Sequence, residues 1–201
     1  MRVLHRRLAK ALLRLLGWRA ATEKPAIPRY VLVAAPHTSN WDFLYLVLFM
    51  WALEIELSFL AKHTLFRGPL GPVIRWLGGI PVVRTGPHQL VERLAACFAE
   101  RQRMVLLIPP EGTRARAQHW KSGFLHIARA AGVPVVAAAV DWPTRTLRFS
   151  EPLAATKDAA RLMDTLRQFY RGAVGRHPER VTSVRLREEG DAPSGDAPAP
   201  R

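Results

Sequence analysis

An imidazole and a carboxylate five positions apart, His37 and Asp42, are the first residues in this chain whose types and spacing could do chemistry. They fall in the stretch Pro36-His37-Thr38-Ser39-Asn40-Trp41-Asp42, directly after the apolar run Tyr30–Ala35. A carboxylate beside a histidine fixes the ring tautomer and stabilises the imidazolium once a proton is taken, which is the arrangement of a general base. The same pair also suits a surface histidine followed by a helix-capping acid. A second stretch, Pro110-Glu111-Gly112-Thr113-Arg114, follows the apolar run Met104–Ile108. Gly112 allows a tight turn whose backbone N–H groups can hold an anion, and Thr113 adds a hydroxyl. Arg114 supplies a planar fork suited to phosphate, and Glu111 is placed to fix the arginine or the loop. The plain reading of this stretch is a turn carrying a solvated arginine.

Both stretches must be held by ordered elements, and the hydrophobic pattern supplies them. Tyr30–Ala35, Leu57–Ala61, Ile80–Val83, Met104–Ile108 and Val133–Val140 read as short buried strands. Helical spacing marks Leu90–Phe98, Phe124–Ala131 and Leu162–Tyr170. Eleven unbroken apolar residues, Phe43–Leu53, are too few to span a bilayer, which takes about 20. They read as a buried helix, with a shallow dip into a membrane as the other reading. At the N-terminus, residues 3–16 read as an amphipathic helix with Leu4, Leu8, Leu12 and Leu15 on one face and arginines largely elsewhere. Such a helix suits a lipid interface or packing on its own domain, and periodicity does not separate the two. Trp18, Trp51 and Trp76 suit a lipid boundary or an ordinary core, and the core is the plainer reading. Strands alternating with helices imply a single α/β domain with a mixed, mostly parallel sheet flanked by helices, preceded by the N-terminal helix. The expected organisation is a membrane-interface helix over 1–24, the domain over 25–187 and a disordered acidic tail over 188–201.

HTSNWD and PEGTR together resemble the glycerolipid acyltransferase family, of the lysophosphatidic-acid (1-acylglycerol-3-phosphate) acyltransferase type. Gly79-Ile80-Pro81-Val82-Val83-Arg84 is similar to the family's second motif and Val133-Pro134-Val135-Val136 to its fourth. Ala61-Lys62 and Trp120–Ala128 also resemble the surrounding pattern, so the resemblance runs in order from Tyr30 to Asp141. Trp41, Pro109 and Ala115 depart from the commonest family residues and bear on the acceptor. The resemblance implies direct transfer of a fatty acyl chain from acyl-CoA or acyl carrier protein to a hydroxyl of a lysophospholipid acceptor. In that scheme His37 is the base and Asp42 orients it. Arg84, Thr113 and Arg114 hold the acceptor phosphate, with Glu111 and Gly112 supporting the loop and Lys62 and Lys121 as further phosphate cations. No acyl-enzyme, metal or other cofactor is implied. The expected place of work is the cytoplasmic face of the cell membrane, held peripherally.

Composition bounds the competing classes. The chain has 201 residues and a formal net charge of +14, which points to an anionic partner. A single cysteine, Cys97, excludes a disulfide framework and a multi-cysteine zinc site, and its helical spacing places it in a core. Basic residues threaded through the first 19 positions do not form a signal-peptide pattern. Residues 1–29 carry eight basic side chains and one acid, while 188–201 carry four acids and one arginine. A nucleic-acid-binding protein is compatible with the charge, but no zinc-finger, helix-turn-helix or RRM-type signature accompanies it, so no nucleic acid is expected. An acyltransferase of the late lipid A type also uses a histidine followed by an acid, and stands as the other enzymatic reading.

Overall fold

Strand β2 (Arg29–Ala35) alternates between two cores. Val31, Val33 and Ala35 pack on one side of the sheet, Tyr30 and Leu32 on the other, and all five are buried. A strand covered on both faces needs apolar residues at every position, which is why this run has no polar alternation. The structure, a computed structural model, describes residues 2–82, 86–156 and 158–189.

The order along the chain is α1 (Arg2–Leu15), β1 (Arg19–Ala20), β2, α2 (Asn40–Leu53), β3 (Leu57–Lys62), α3 (Gly71–Trp76), β4 (Gly79–Val82), α4 (Pro87–Glu100), β5 (Met104–Ile108), α5 (Gly123–Ala131), β6 (Val135–Asp141), β7 (Thr146–Phe149) and α6 (Ala159–Tyr170). One seven-stranded sheet runs in the order β1-β7-β6-β2-β5-β3-β4. All neighbours are parallel except β6 and β7, so the sheet is mixed and mostly parallel, within a single α/β domain. Helices α4, α5 and α6 cover one face, and α1 and α2 the other.

The expected strands and helices are present with ends shifted by a few residues. β1, β7 and α3 are additions. The two strands are short and carry polar or charged positions, so they have no apolar run to mark them. α3 begins with Gly71 and Pro72 in a stretch punctuated by glycine and proline, residues that disfavour a helix interior but suit its first turn.

α1 packs on α2 through Ala9 and Leu13, both buried. Leu12 is half-buried, whereas Leu4, Leu8 and Leu15 stand 68%, 54% and 83% exposed. The leucine stripe is therefore split between an inward and an outward face. β1 then joins the edge of the sheet beside β7, so residues 2–20 are built into the domain. Arg187–Glu189 forms a 3-10 turn in which Glu189 accepts from Arg167 and from the Leu186 backbone. The rest of the expected acidic tail, from 190 on, lies outside the described residues.

α2 is apolar nearly all round because the sheet covers one side and α1 the other. At about 1.5 Å per residue its 14 residues reach roughly 21 Å, short of the ~30 Å hydrocarbon core. Among the described residues no helix is long and apolar enough to cross a membrane.

Candidate active site

Parallel strands bring their carboxyl ends to one edge, and in open α/β sheets the crevice beyond that edge is where functional groups gather. His37 follows β2, Pro110–Arg114 follows β5, and Trp142 follows β6, all on adjacent strands. Lys62 ends β3, two strands or about 10 Å from β2. Arg84 lies beyond the end of β4, outside the described residues.

Ser39 starts α2 as its N-cap, and Asp42, three residues on, completes a capping box. The local fold thus places Asp42 in the first turn with its carboxylate folded back over the preceding loop. Its Oδ2 accepts from the Thr38 and Ser39 backbone N–H groups at 2.7 and 2.8 Å. Its Oδ1 accepts from the Trp142 indole N–H at 2.7 Å. The carboxylate is buried, so these three donors hold its position and charge. His37 turns Nδ1 toward the same Oδ2 at 3.6 Å, longer than a hydrogen bond but within reach of a charge interaction. The imidazole is only partly covered, leaving Nε2 as the nitrogen not turned to Asp42.

Glu111 joins the PEGTR loop to the histidine. Its Oε2 accepts from the His37 backbone N–H at 2.9 Å, so the carboxyl fixes the loop that carries the imidazole and not Arg114. Glu111 is 2% exposed, and its other oxygen has no hydrogen-bond partner among the described residues. Burial pushes its pKa up to about 8, with the nearby Asp42 charge acting in the same direction and the His37 N–H opposing it. Near neutral pH the carboxyl is therefore mainly protonated.

The rest of the loop presents cations. Gly112 adopts φ +66°, a left-handed turn that favours glycine, and the Lys121 ammonium reaches over it, 2.6 Å from where a Cβ would lie. Thr113 accepts from the Ala115 N–H and remains exposed. Arg114 donates to the Asn40 side chain at the start of α2. The structure thus brings His37, Asp42, Glu111, Gly112, Arg114 and Lys121 together around the β2 and β5 ends. Among the described residues no group of His, Cys, Asp or Glu could hold a metal ion. Cys97 is half-buried against the α4 side of the core.

The roles of Trp142 and of the Thr38 backbone in holding Asp42 escaped the sequence reading. The position of Trp142, one residue past a buried strand, was visible in the sequence; its bond to Asp42, 100 residues away, was not. A separate cleft of about 1000 Å³, lined by His5, Trp51, Ser58, Gly78 and Arg103 among others, lies toward the opposite edge of the sheet and is not lined by these residues.

A family model described as "Acyltransferase" matches residues 20–141, which run from the last residue of β1 to the end of β6 and include every member of this constellation except Trp142. No curated protein matches the chain. Among solved structures, the crystal structure of the 1-acyl-sn-glycerophosphate (LPA) acyltransferase PlsC from Thermotoga maritima is similar with a TM-score of 0.60 at 22% identity, over 86% of this chain and 78% of that one. At that identity the likeness is one of fold.

Proposed function

The chain belongs to the acyltransferase family, and on that premise we propose that it moves a fatty acyl group from a thioester, acyl-CoA or acyl carrier protein, to a hydroxyl of a phosphate-bearing lysoglycerolipid, with 1-acylglycerol 3-phosphate as the first acceptor to try. The observation that carries this reading is the buried Asp42 carboxylate, held by three N–H donors and facing Nδ1 of His37 at the carboxyl edge of the sheet. An imidazole turned to a carboxylate at Nδ1 has Nε2 free to take the acceptor's hydroxyl proton. The acceptor oxygen then attacks the thioester carbonyl, the C–O bond forms, and the C–S bond breaks. The departing thiolate recovers the proton from the imidazolium. No step needs a protein nucleophile, so Cys97 in the opposite core is a bystander.

Arg114 and Lys121 stand at the mouth of the same edge, and cations there favour a substrate phosphate. The neutral Glu111 carboxyl suits this arrangement, because it holds the His37 loop without adding a second charge beside Asp42. Lys62 would extend the cation row to the β3 end.

Lipid acceptors reside in membranes, and we propose peripheral docking at the cytoplasmic face, with the outward leucines of α1 supporting the contact with lipid. These leucines share the helix with exposed Arg7 and Arg14, so apolar insertion and attraction to anionic headgroups act together. Near them, His5 lies against Trp51 and Trp76, and Trp76 is 56% exposed.

The test is a lipid-acceptor screen with radiolabelled acyl-CoA and acyl carrier protein, run on wild type and His37→Ala. The expected result is transfer to a phosphate-bearing lysolipid that falls at least about a hundredfold in the variant. Wild-type rates from folded His37→Ala protein would overturn the mechanism.

A further inference from the structure

The segment that follows α6 returns to the site and brings a cation that none of the motifs contains. Its path is closely set. The Val174 N–H donates to Asp141 Oδ1 at 2.9 Å, and the Trp142 N–H donates to the Val174 carbonyl at 3.0 Å. Gly175 is buried against the HTSNWD loop, where a Cβ would lie 2.7 Å from Thr38 Oγ1 and 3.3 Å from Pro36 Cβ. The His177 N–H donates to Thr38 Oγ1 at 3.2 Å. Arg176, between these two contacts, is therefore delivered to the head of α2 by backbone geometry.

Its side chain is fixed there by two indoles. The guanidinium carbon lies 5.0 Å from the Trp142 ring centroid and 5.3 Å from that of Trp41. Both are cation–π distances, and stacking on a ring face leaves the in-plane N–H donors unspent. Trp142 is the residue whose indole N–H holds Asp42, and Trp41 precedes Asp42 in the chain. Arg176 is exposed, and among the described residues it makes no ion pair; the nearby Glu179 is engaged by His177 and Arg180. A preoriented guanidinium without a carboxylate, one indole from the catalytic pair, is built to receive an anion. Arg114, bonded to Asn40, stands beside the neighbouring position of the same helix start.

We propose that Arg176, clamped between Trp41 and Trp142, is a phosphate-recognition residue of the active site, acting on substrate binding and not on the proton transfer. This deepens the acyltransferase reading, which supplies the phosphate: either that of the lysolipid acceptor or those of CoA. The two indoles explain why the recognising group is arginine, since lysine would keep the charge but lose the planar stack and the fork.

The experiment compares wild type with Arg176→Gln and Arg176→Lys in equilibrium binding of three probes: CoA, 1-acylglycerol 3-phosphate, and the phosphate-free 1-acylglycerol of the same chain. KM and kcat for transfer are measured alongside. Arg176→Gln is expected to weaken one phosphate probe about 10- to 100-fold, with kcat nearly unchanged, phosphate-free binding unchanged and partial recovery in Arg176→Lys. Weakening confined to 1-acylglycerol 3-phosphate assigns the acceptor phosphate, and weakening confined to CoA assigns the donor. Wild-type binding of both phosphate probes by Arg176→Gln overturns the proposal, as does an equal loss for the phosphate-free lipid. If wild type transfers acyl groups to nothing, the functional reading fails, while the binding comparison still decides Arg176. Should Arg176→Gln not fold, Arg176→Lys carries the test: an unchanged affinity for both phosphate probes means that charge position and fork do not matter there, and the proposal is wrong.

Discussion

On one side of the sheet α4, α5 and α6 bury their apolar stripes and turn polar residues outward. Leu94 and Phe98, Phe124 and Ile127, Leu162 and Leu166 are buried, while Glu92, His126 and Asp164 face solvent. On the other side α1 and α2 bury a comparable core and still leave apolar surface uncovered. Among the described residues the exposed large apolar side chains, from Leu4 and Leu8 through Trp41, Leu44 and Leu70 to Trp76, all fall between positions 4 and 76. Single exposed leucines are ordinary, but their confinement to one layer and its edge is not. The same sheet thus has one side whose apolar stripes its own chain covers and one unfinished side on which apolar surface stays exposed among the described residues. The site lies where the two meet: the His37 loop leads into α2, and the Glu111 loop leads on to α5.

The comparison can be broken most severely in the finished layer. Phe124→Ala removes a fully buried ring and is expected to cost about 3–5 kcal/mol of stability in denaturant titration, with the affinity of the folded protein for vesicles unchanged. On the unfinished side the outcome inverts. Replacing Leu4, Leu8 and Leu15 together by serine should alter stability by less than about 1 kcal/mol. It should lower partitioning onto phosphatidylglycerol-containing vesicles at least about a hundredfold, because each leucine buried in lipid is worth about 1.5–3 kcal/mol. Equal vesicle binding by the triple variant would show that the exposed leucines do not contact lipid.

At the seam, the raised pKa of Glu111 sets a pH dependence. The folded protein keeps a proton there that the unfolded chain has released above pH 4.5, so stability falls as pH rises through about 8. Between pH 7 and 9 the loss is on the order of 1 kcal/mol, and Glu111→Gln should flatten that part of the curve, read by chemical denaturation at each pH. The smallest effect belongs to the ion pair that links the two helices of the unfinished layer. Arg6 and Glu54 meet at 3.0 Å with both side chains well exposed, so Arg6→Ala should cost no more than about 0.5 kcal/mol in the same titration.

Particular elements show what was legible. The runs Tyr30–Ala35 and Met104–Ile108 declared buried strands because both sheet faces are covered, and the loops after them were recognised by residue type and spacing. β7 was silent: Thr146–Phe149 is four residues long and carries Arg148 at a half-buried position. The α1 stripe was read as one face although its leucines serve two, because a 3.6-residue period reports that a helix is amphipathic and not which neighbour covers it.

What the sequence determined by itself was local: the apolar runs, the cap at Ser39, the turn at Gly112, and a histidine and carboxylate close enough in the chain to meet. Asp42 reaches His37 within one turn of helix, so their meeting required no long-range folding. The tertiary structure decided the rest. Only the strand order β6-β2-β5 sets Trp142 and Glu111 on either side of the His37 loop, and only the return of the chain after α6 delivers Arg176 to Trp41. These contacts join residues 74 to 135 positions apart. Spacing along the chain cannot encode such pairs, because they are chosen by which strands lie side by side and which faces those strands must bury.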